Sequence, residues 1–154
     1  MNNLIKSISQ ESHIRVKEKW YKPIAKVHYI TQSCPDNEYV KVFMEGHYAL
    51  VISPDDEFMY FGKDVGEIPN TPFPSPEKLY YNSIEYQKIV SDYQIVKHVE
   101  FGNLLETEGE VAFTDYQSTS SENGSIISLG LIVRTQKRAD IVAEIINIDD
   151  VVIN

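Results

Sequence analysis

The sequence predicts a mainly β protein, α+β at the margin: an antiparallel barrel or sandwich with one or two short helices, for which two similar halves are one construction. Three observations carry that expectation. Apolar residues recur at every second position in most segments. Gly, Pro, Asn and Asp punctuate those segments at hairpin intervals. Only in the first dozen residues does a helical period prevail, although 79–90 and 141–153 also permit one.

Residues 2–12 read as a short helix, with Asn2 or Asn3 as cap and Leu4, Ile5 and Ile8 on one face. Ile14 and Val16 alternate with Arg15 and Lys17, and Ala25, Val27 and Tyr29 alternate with Lys26 and His28, so both segments read as strands. Pro23 between them belongs at a turn or an edge, because it has no N–H for a ladder. Segments 39–44, 47–52 and 58–61, joined by short turns at 45–46 and 53–56, read as a meander. Gly62, Gly66, Pro69, Pro72, Pro74 and Pro76 then fall within fifteen residues, so residues 62–76 are expected to be a long loop that no regular element crosses. Segment 79–90 fits helix or strand, with its Tyr and Ile content favouring strand. Segments 93–101, 111–119 and 125–135 read as strands, the last two joined by a hairpin through Asn123-Gly124. The Ile- and Val-rich stretch 141–153 reads as a buried strand in preference to the helix that its spacing also permits.

A chain of 154 residues suits a single domain spanning 1–154 and needs no disulfide or metal to fold. The lone Cys34 cannot close an internal bridge, and no apolar run is long enough for a signal peptide or a membrane helix, so a cytoplasmic protein without membrane insertion is expected. The formal charge of −9 is unevenly placed: residues 1–30 hold six Lys/Arg against two Asp/Glu, a net +4, while residues 31–154 hold eight against twenty-one, a net −13. Nucleic acid is not expected as a partner, since duplex affinity comes from cations neutralising phosphates.

Local catalytic and cofactor patterns are missing from the sequence. There is no nucleophile elbow, and the glycines stand singly, outside any phosphate-binding pattern. His13, His28, His47 and His98 are 15, 19 and 51 residues apart, which is not metal-site spacing. The acidic groups Asp55-Asp56-Glu57, Glu106/Glu108/Glu110 and Asp149-Asp150 lack a calcium-loop pattern, and the glutamates read as a solvated rim. No catalytic residue, metal ligand or cofactor is therefore expected. The candidate partner-binding residues are Asp55, Asp56 and Glu57, as an acidic turn, and Trp20 and Tyr21, as aromatics among lysines.

Tyr86-Gln87-Lys88-Ile89, Gly109-Glu110, Asp115-Tyr116, Ile127-Ser128-Leu129 and the two-half layout together resemble an uncharacterised bacterial family of strand-rich domains of unknown function. Genes of that family often lie near membrane-stress or polyamine-synthase-like genes. The resemblance implies a domain type and no catalytic residue.

The leading expectation is a non-catalytic protein-interaction module. The alternatives are an acidic inhibitor or immunity-type protein that masks a basic surface, and a small enzyme whose histidine and carboxylate site, from His28, His47 or His98, forms only in the fold. If the acidic body engages a basic partner, its on-rate should fall with salt, because the Debye length shrinks from about 10 Å at 0.1 M to about 3 Å at 1 M. Reversing Asp55, Asp56 and Glu57 should slow association more than it speeds dissociation. Stopped-flow measurement over a salt series tests this, and a salt-independent rate would leave the acidity as a solubility feature.

Overall fold

In the computed structural model, which describes residues 1–73, 75–103, 108–120 and 124–154, the described residues form twelve strands, one short helix and a 3-10 turn. The helix α1 covers Asn2–Ser7. The strands are β1 (Ile14–Val16), β2 (Lys19–Tyr21), β3 (Pro23–Thr31), β4 (Tyr39–Met44), β5 (Tyr48–Ser53), β6 (Phe58–Gly66), β7 (Lys78–Tyr81), β8 (Ile84–Phe101), β9 (Val111–Ser118), β10 (Ser125–Ile132), β11 (Asp140–Ile145) and β12 (Val151–Ile153). The mainly β expectation holds, and the architecture is a closed antiparallel barrel.

Eight strands close the barrel as two meanders, β3 to β6 and β8 to β11, joined at a β6–β11 seam and a β3–β8 seam. Strand β8 makes closure possible. Its first half pairs with β9 and its last eight residues also pair with β3, with register shifts at Lys88/Val90 and on either side of the Val27–His28 pair. Such bulges bend a strand and increase its twist. Strand β7 extends the sheet beside the free half of β8, and β12, β1 and β2 form a separate three-stranded sheet.

Two apolar layers cover the outside of the barrel. Val40, Val42, Met44, Leu50, Ile52, Met59 and Phe61 alternate with inward residues and pack against Leu4 and Ile5 of α1, Ile8 just after it, and Ile14, Val16 and Val151 of the small sheet. On the other side, Tyr116, Ile127 and Leu129 are covered by Ile68, Leu79 and Tyr86. Lys26, fully buried beneath α1, donates to the carbonyls of Ile5 (2.5 Å) and Ile8 (3.0 Å) and pairs with Glu100 (2.9 Å). The Ile5 carbonyl also accepts from the Ile8 amide at 3.3 Å, and a cation at the C-terminal end of the helix adds a donor to its last carbonyls and meets the dipole favourably.

Several expectations need correction. The loop expected at 62–76 begins late, because β6 runs through Gly66. Gly62 belongs to that strand for a steric reason: a Cβ there would lie 2.4 Å from the Val142 carbonyl oxygen and 2.5 Å from the Ala143 Cβ. Segment 79–90 is strand broken by a turn, with Asn82 and Ser83 at φ of 49° and 63°. Stretch 141–153 is two strands separated by the 3-10 turn Ile148–Asp150, which the Asn147 and Asp150 side chains cap. The helix ends at Ser7. Strands β9 and β10 do pair as a hairpin, while residues 121–123 of the expected turn lie outside the described residues, as do Glu106 and Pro74.

Nor is the segment after β6 loosely held. The fully buried Asp140 accepts hydrogen bonds from Ile68 N (2.8 Å), Gly130 N (3.1 Å) and the Arg138 guanidinium, whose Nη2 is 2.7 Å away. Arg138 donates in turn to the Thr71 carbonyl and hydroxyl at 3.0 and 2.8 Å. Replacing Asp140 by Ala leaves the guanidinium and two amides without their acceptor and should cost about 3–5 kcal/mol. Urea denaturation measures the loss. In the native protein the Ile68 amide should exchange as slowly as those of β10, and in the Asp140→Ala variant as fast as an exposed loop.

Candidate functional site

Residues from seven of the eight barrel strands line one cavity of about 440 Å³, which is therefore the lumen. An eight-stranded barrel is just wide enough to be filled by side chains or to hold one small ligand. Here it is partly filled. Val51, Tyr60, Ile126, Ile141 and Ala143 form an apolar cluster inside it on the β5, β6, β10 and β11 side. The space beside that cluster stays open toward a mouth rimmed by residues 32–38 and 54–57.

The inward face is polar where a filled barrel would be aliphatic. Lys41 on β4 and Glu108 are both buried and pair at 2.5 Å. Lys41 borders the upper cavity and Glu108 a smaller lower one of about 240 Å³, so the ion pair lies between the two spaces. Gln94 on β8 is buried, accepts from the Tyr39 hydroxyl (2.8 Å) and donates to the Gly109 carbonyl (3.0 Å), which ties the 108–109 backbone to the barrel wall. Glu108 is thus an internal counter-ion, which corrects the expectation of a solvated rim.

Asp115 on β9 lines the same cavity opposite Val90 in register and next to Ser128 of β10. Its Oδ1 is buried without a hydrogen-bond partner among the described residues, although the side chain as a whole keeps partial access to the lumen. Burial pushes its carboxyl up to about 6, a rise that Glu108 reinforces and that Ser128 and Lys41 oppose. Burial likewise raises the phenols of Tyr39 and Tyr60, with the neighbouring carboxylates Glu108 and Asp115 adding to it, so both remain neutral hydroxyls. At the mouth, burial pushes Asp92 upward, but hydrogen bonds from Ser33 and the Tyr93 amide outweigh it and hold that carboxyl below its usual range. Among the charged residues lining the upper cavity, the one cation, Lys41, is taken by Glu108, and three carboxylates remain: Asp56, Asp92 and Asp115. Val51, Phe58, Ile89, Val90 and Phe113 supply apolar walls.

The sequence candidates divide between the two ends of the barrel. Asp55, Asp56 and Glu57 form the exposed β5–β6 turn at the mouth; Asp56 lines the cavity and accepts from Ser53 (3.0 Å), and Asp55 lines a small outer cleft with His28 and Glu38. Trp20 and Tyr21 lie toward the other end. Trp20 is half exposed, with the Arg15 guanidinium over its ring at 5.8 Å. Tyr21 turns inward against Tyr48 and Phe61. Of the histidines, His28 and His98 meet on the outer surface of the β3–β8 seam, and His47 lines the lower cavity. No histidine lines the upper cavity, so the deep pocket exists without the histidines expected of an enzyme site.

Sequence reasoning did not select Lys41, Gln94 or Asp115 as site residues. A signal existed for two of them: Lys41 interrupts Tyr39-Val40-Lys41-Val42-Phe43-Met44, and Asp115 sits mid-strand in a β-rich run. Both are charges in mid-strand, Lys41 between Val40 and Val42 and Asp115 between Thr114 and Tyr116. Fold and cavity together define a closed eight-stranded barrel with a polar-floored, acidic-mouthed lumen. Comparison with protein-family models, curated proteins and solved structures returns no match. Among the described residues no helix is long and apolar enough to cross a membrane.

The Asp115 shift has a signed consequence. Its folded-state value of about 6 lies above the ordinary carboxyl value of ~3.9, so the native state holds this proton more tightly than the unfolded chain. Its contribution to stability is therefore present at low pH and lost as pH rises through about 6. Asp115→Asn should flatten the pH dependence of stability between pH ~4 and ~6 and leave the protein more stable above it, by on the order of 2 kcal/mol. Urea midpoints at several pH values measure both effects; an unchanged slope would mean that the carboxyl titrates normally.

Proposed function

We propose that the protein binds a small amphipathic cation in its lumen, an organic amine with an apolar body. The observation that carries this reading is the buried Oδ1 of Asp115, without a hydrogen-bond partner among the described residues, inside a cavity of about 440 Å³. A buried polar atom left without a partner costs about 1–3 kcal/mol. A ligand that supplies the missing donor recovers that cost. The volume lies within the ~300–1,000 Å³ usual for small-molecule sites, and the lining has the usual composition, apolar walls with a few convergent polar groups. Charge selects the sign of the ligand, since Asp56, Asp92 and Asp115 are not balanced by a free cation among the described lining residues.

On this reading the acidic turn that suggested a protein-interaction module acts at the mouth, where Asp56 raises the local concentration of cationic ligand. Ile89 and Val90, both substantially exposed, form an apolar lip beside it. A second reading follows from Asp115 alone: a carboxyl near 6 in an enclosed, tyrosine-lined cavity is suited to proton transfer at neutral pH. The unbalanced carboxylates favour binding over catalysis as the primary role.

Calorimetric titration with phenethylamine, with its neutral analogue phenethyl alcohol and with the anion phenylacetate tests the proposal. The amine should bind at least tenfold more tightly than the alcohol, and phenylacetate should not bind. Below pH ~6 the amine's affinity should fall about tenfold per unit as Asp115 gains its proton, and Asp115→Asn should weaken amine binding at least tenfold and abolish this pH dependence. Equal binding of amine and carboxylate, or amine binding indifferent to Asp115→Asn, would overturn it.

A further inference from the structure

The geometry points to a second site, on the outside of the barrel: a zinc-type divalent transition-metal site formed by His28, Glu38 and His98. His28 on β3 and His98 on β8 are direct cross-strand partners, and one ligand atom from each of these three residues lies within 4.8 Å of the others. Register shifts lie on both sides of the Val27–His28 stretch. Bulges of this kind re-aim side chains, and here two imidazoles end up stacked at 4.1 Å between ring centroids, 12° from parallel. Glu38 reaches the pair from the end of the β3–β4 loop, with Oε1 3.2 Å from His28 Nδ1.

The spacing suits an ion. Bonds of ~2.0–2.1 Å place tetrahedral ligands roughly 3.3–3.4 Å apart. The His28–Glu38 separation of 3.2 Å already meets that requirement. His98 is exposed, so its ring can turn from stacking to coordination without moving the backbone.

The surroundings of His28 are those of a metal ligand. Its Nε2 is 2.9 Å from Glu100 Oε1, and Glu100 Oε2 is held 2.9 Å from the buried Lys26. A carboxylate that accepts from one ring nitrogen fixes the tautomer and leaves the other nitrogen's lone pair for the metal. Nδ1 is then the ligating atom, and it faces Glu38. Two imidazoles and one carboxylate select zinc, cobalt or nickel over calcium or magnesium, which take oxygen ligands. Three protein ligands leave a fourth position for water or an exogenous donor. Lys97 Nζ, 3.7 Å from Glu38 Oε1, is the cation that the ion displaces.

Zinc and cobalt titrations of the full chain at mildly alkaline pH test this, with calorimetry for stoichiometry and the cobalt spectrum for the ligand set. One ion per chain should bind with micromolar or tighter affinity, raise the melting temperature and show nitrogen and oxygen ligation without a thiolate charge-transfer band. His98→Ala, at an exposed position that folding does not need, should weaken binding at least tenfold, as should Glu38→Gln. Glu100→Gln should weaken it by about tenfold through ring positioning. Cys34→Ser, replacing an exposed thiol, should change nothing. Binding that survives His98→Ala and Glu38→Gln, binding lost in Cys34→Ser, or no binding tighter than millimolar would each overturn the assignment.

Discussion

The β3–β8 seam is the contact on which the rest of the structure depends. Strand β8 spans eighteen residues, too many for one neighbour, and its bulges turn the second half away from β7 and onto β3. That exchange of partners converts two meanders into a closed barrel and leaves none of the eight strands with an open edge along its whole length. It also creates an interior. Eight strands enclose a space that side chains can fill or leave open, and here the inward positions of β4, β8 and β9 carry Lys41, Gln94 and Asp115 in place of aliphatic residues.

An interior of this kind is affordable because stability resides elsewhere. The two large apolar clusters lie outside the barrel wall, one beneath α1 and the small sheet, the other beneath the segment that carries Ile68 and Leu79. Along β4 to β6 and along β9 and β10 the inward strand face is backed by an outward face that is itself buried, so those walls are held from behind. The Lys41–Glu108 pair contributes little net stability, since two buried charges lose in hydration roughly what they gain in attraction. Its effect is to place charge where an aliphatic core would be, and to neutralise the one cation among the described residues that line the upper cavity, so that Asp115 remains as unbalanced charge. Sites that violate the packing rules of a filled core are where function is expected.

The strands with strict alternation were legible in the sequence. Segments 39–44, 47–52 and 111–119 appear as strands close to their expected bounds, whereas 93–101 is the second half of a strand that begins at Ile84. The misreadings have separate physical causes. Asn82-Ser83 turns the chain with both residues at positive φ, a conformation that Asn-Gly announces and Asn-Ser does not. Gly62 reads as a loop residue, yet it stands in β6 because no Cβ fits against the Val142 carbonyl and Ala143. Glu108 reads as solvated because its counter-ion, Lys41, lies 67 residues away in sequence.

By itself the sequence determined the fold class, the positions of most strands, the acidity of the mouth turn at Asp55, Asp56 and Glu57, and the lack of any local catalytic motif. Each of these is a property of a short window, set by side-chain period, turn chemistry or composition. Only the tertiary structure decided which face of each strand looks into the lumen. Both faces of β4, β5 and β6 are rich in apolar residues, because the outward face is buried too, so alternation marks a strand without marking its inside. The same holds for the meeting of Lys41 with Glu108 and of His28 with His98. Their proximity follows from barrel closure and from the register of one seam, and closure is a constraint on the whole chain that no window of sequence contains.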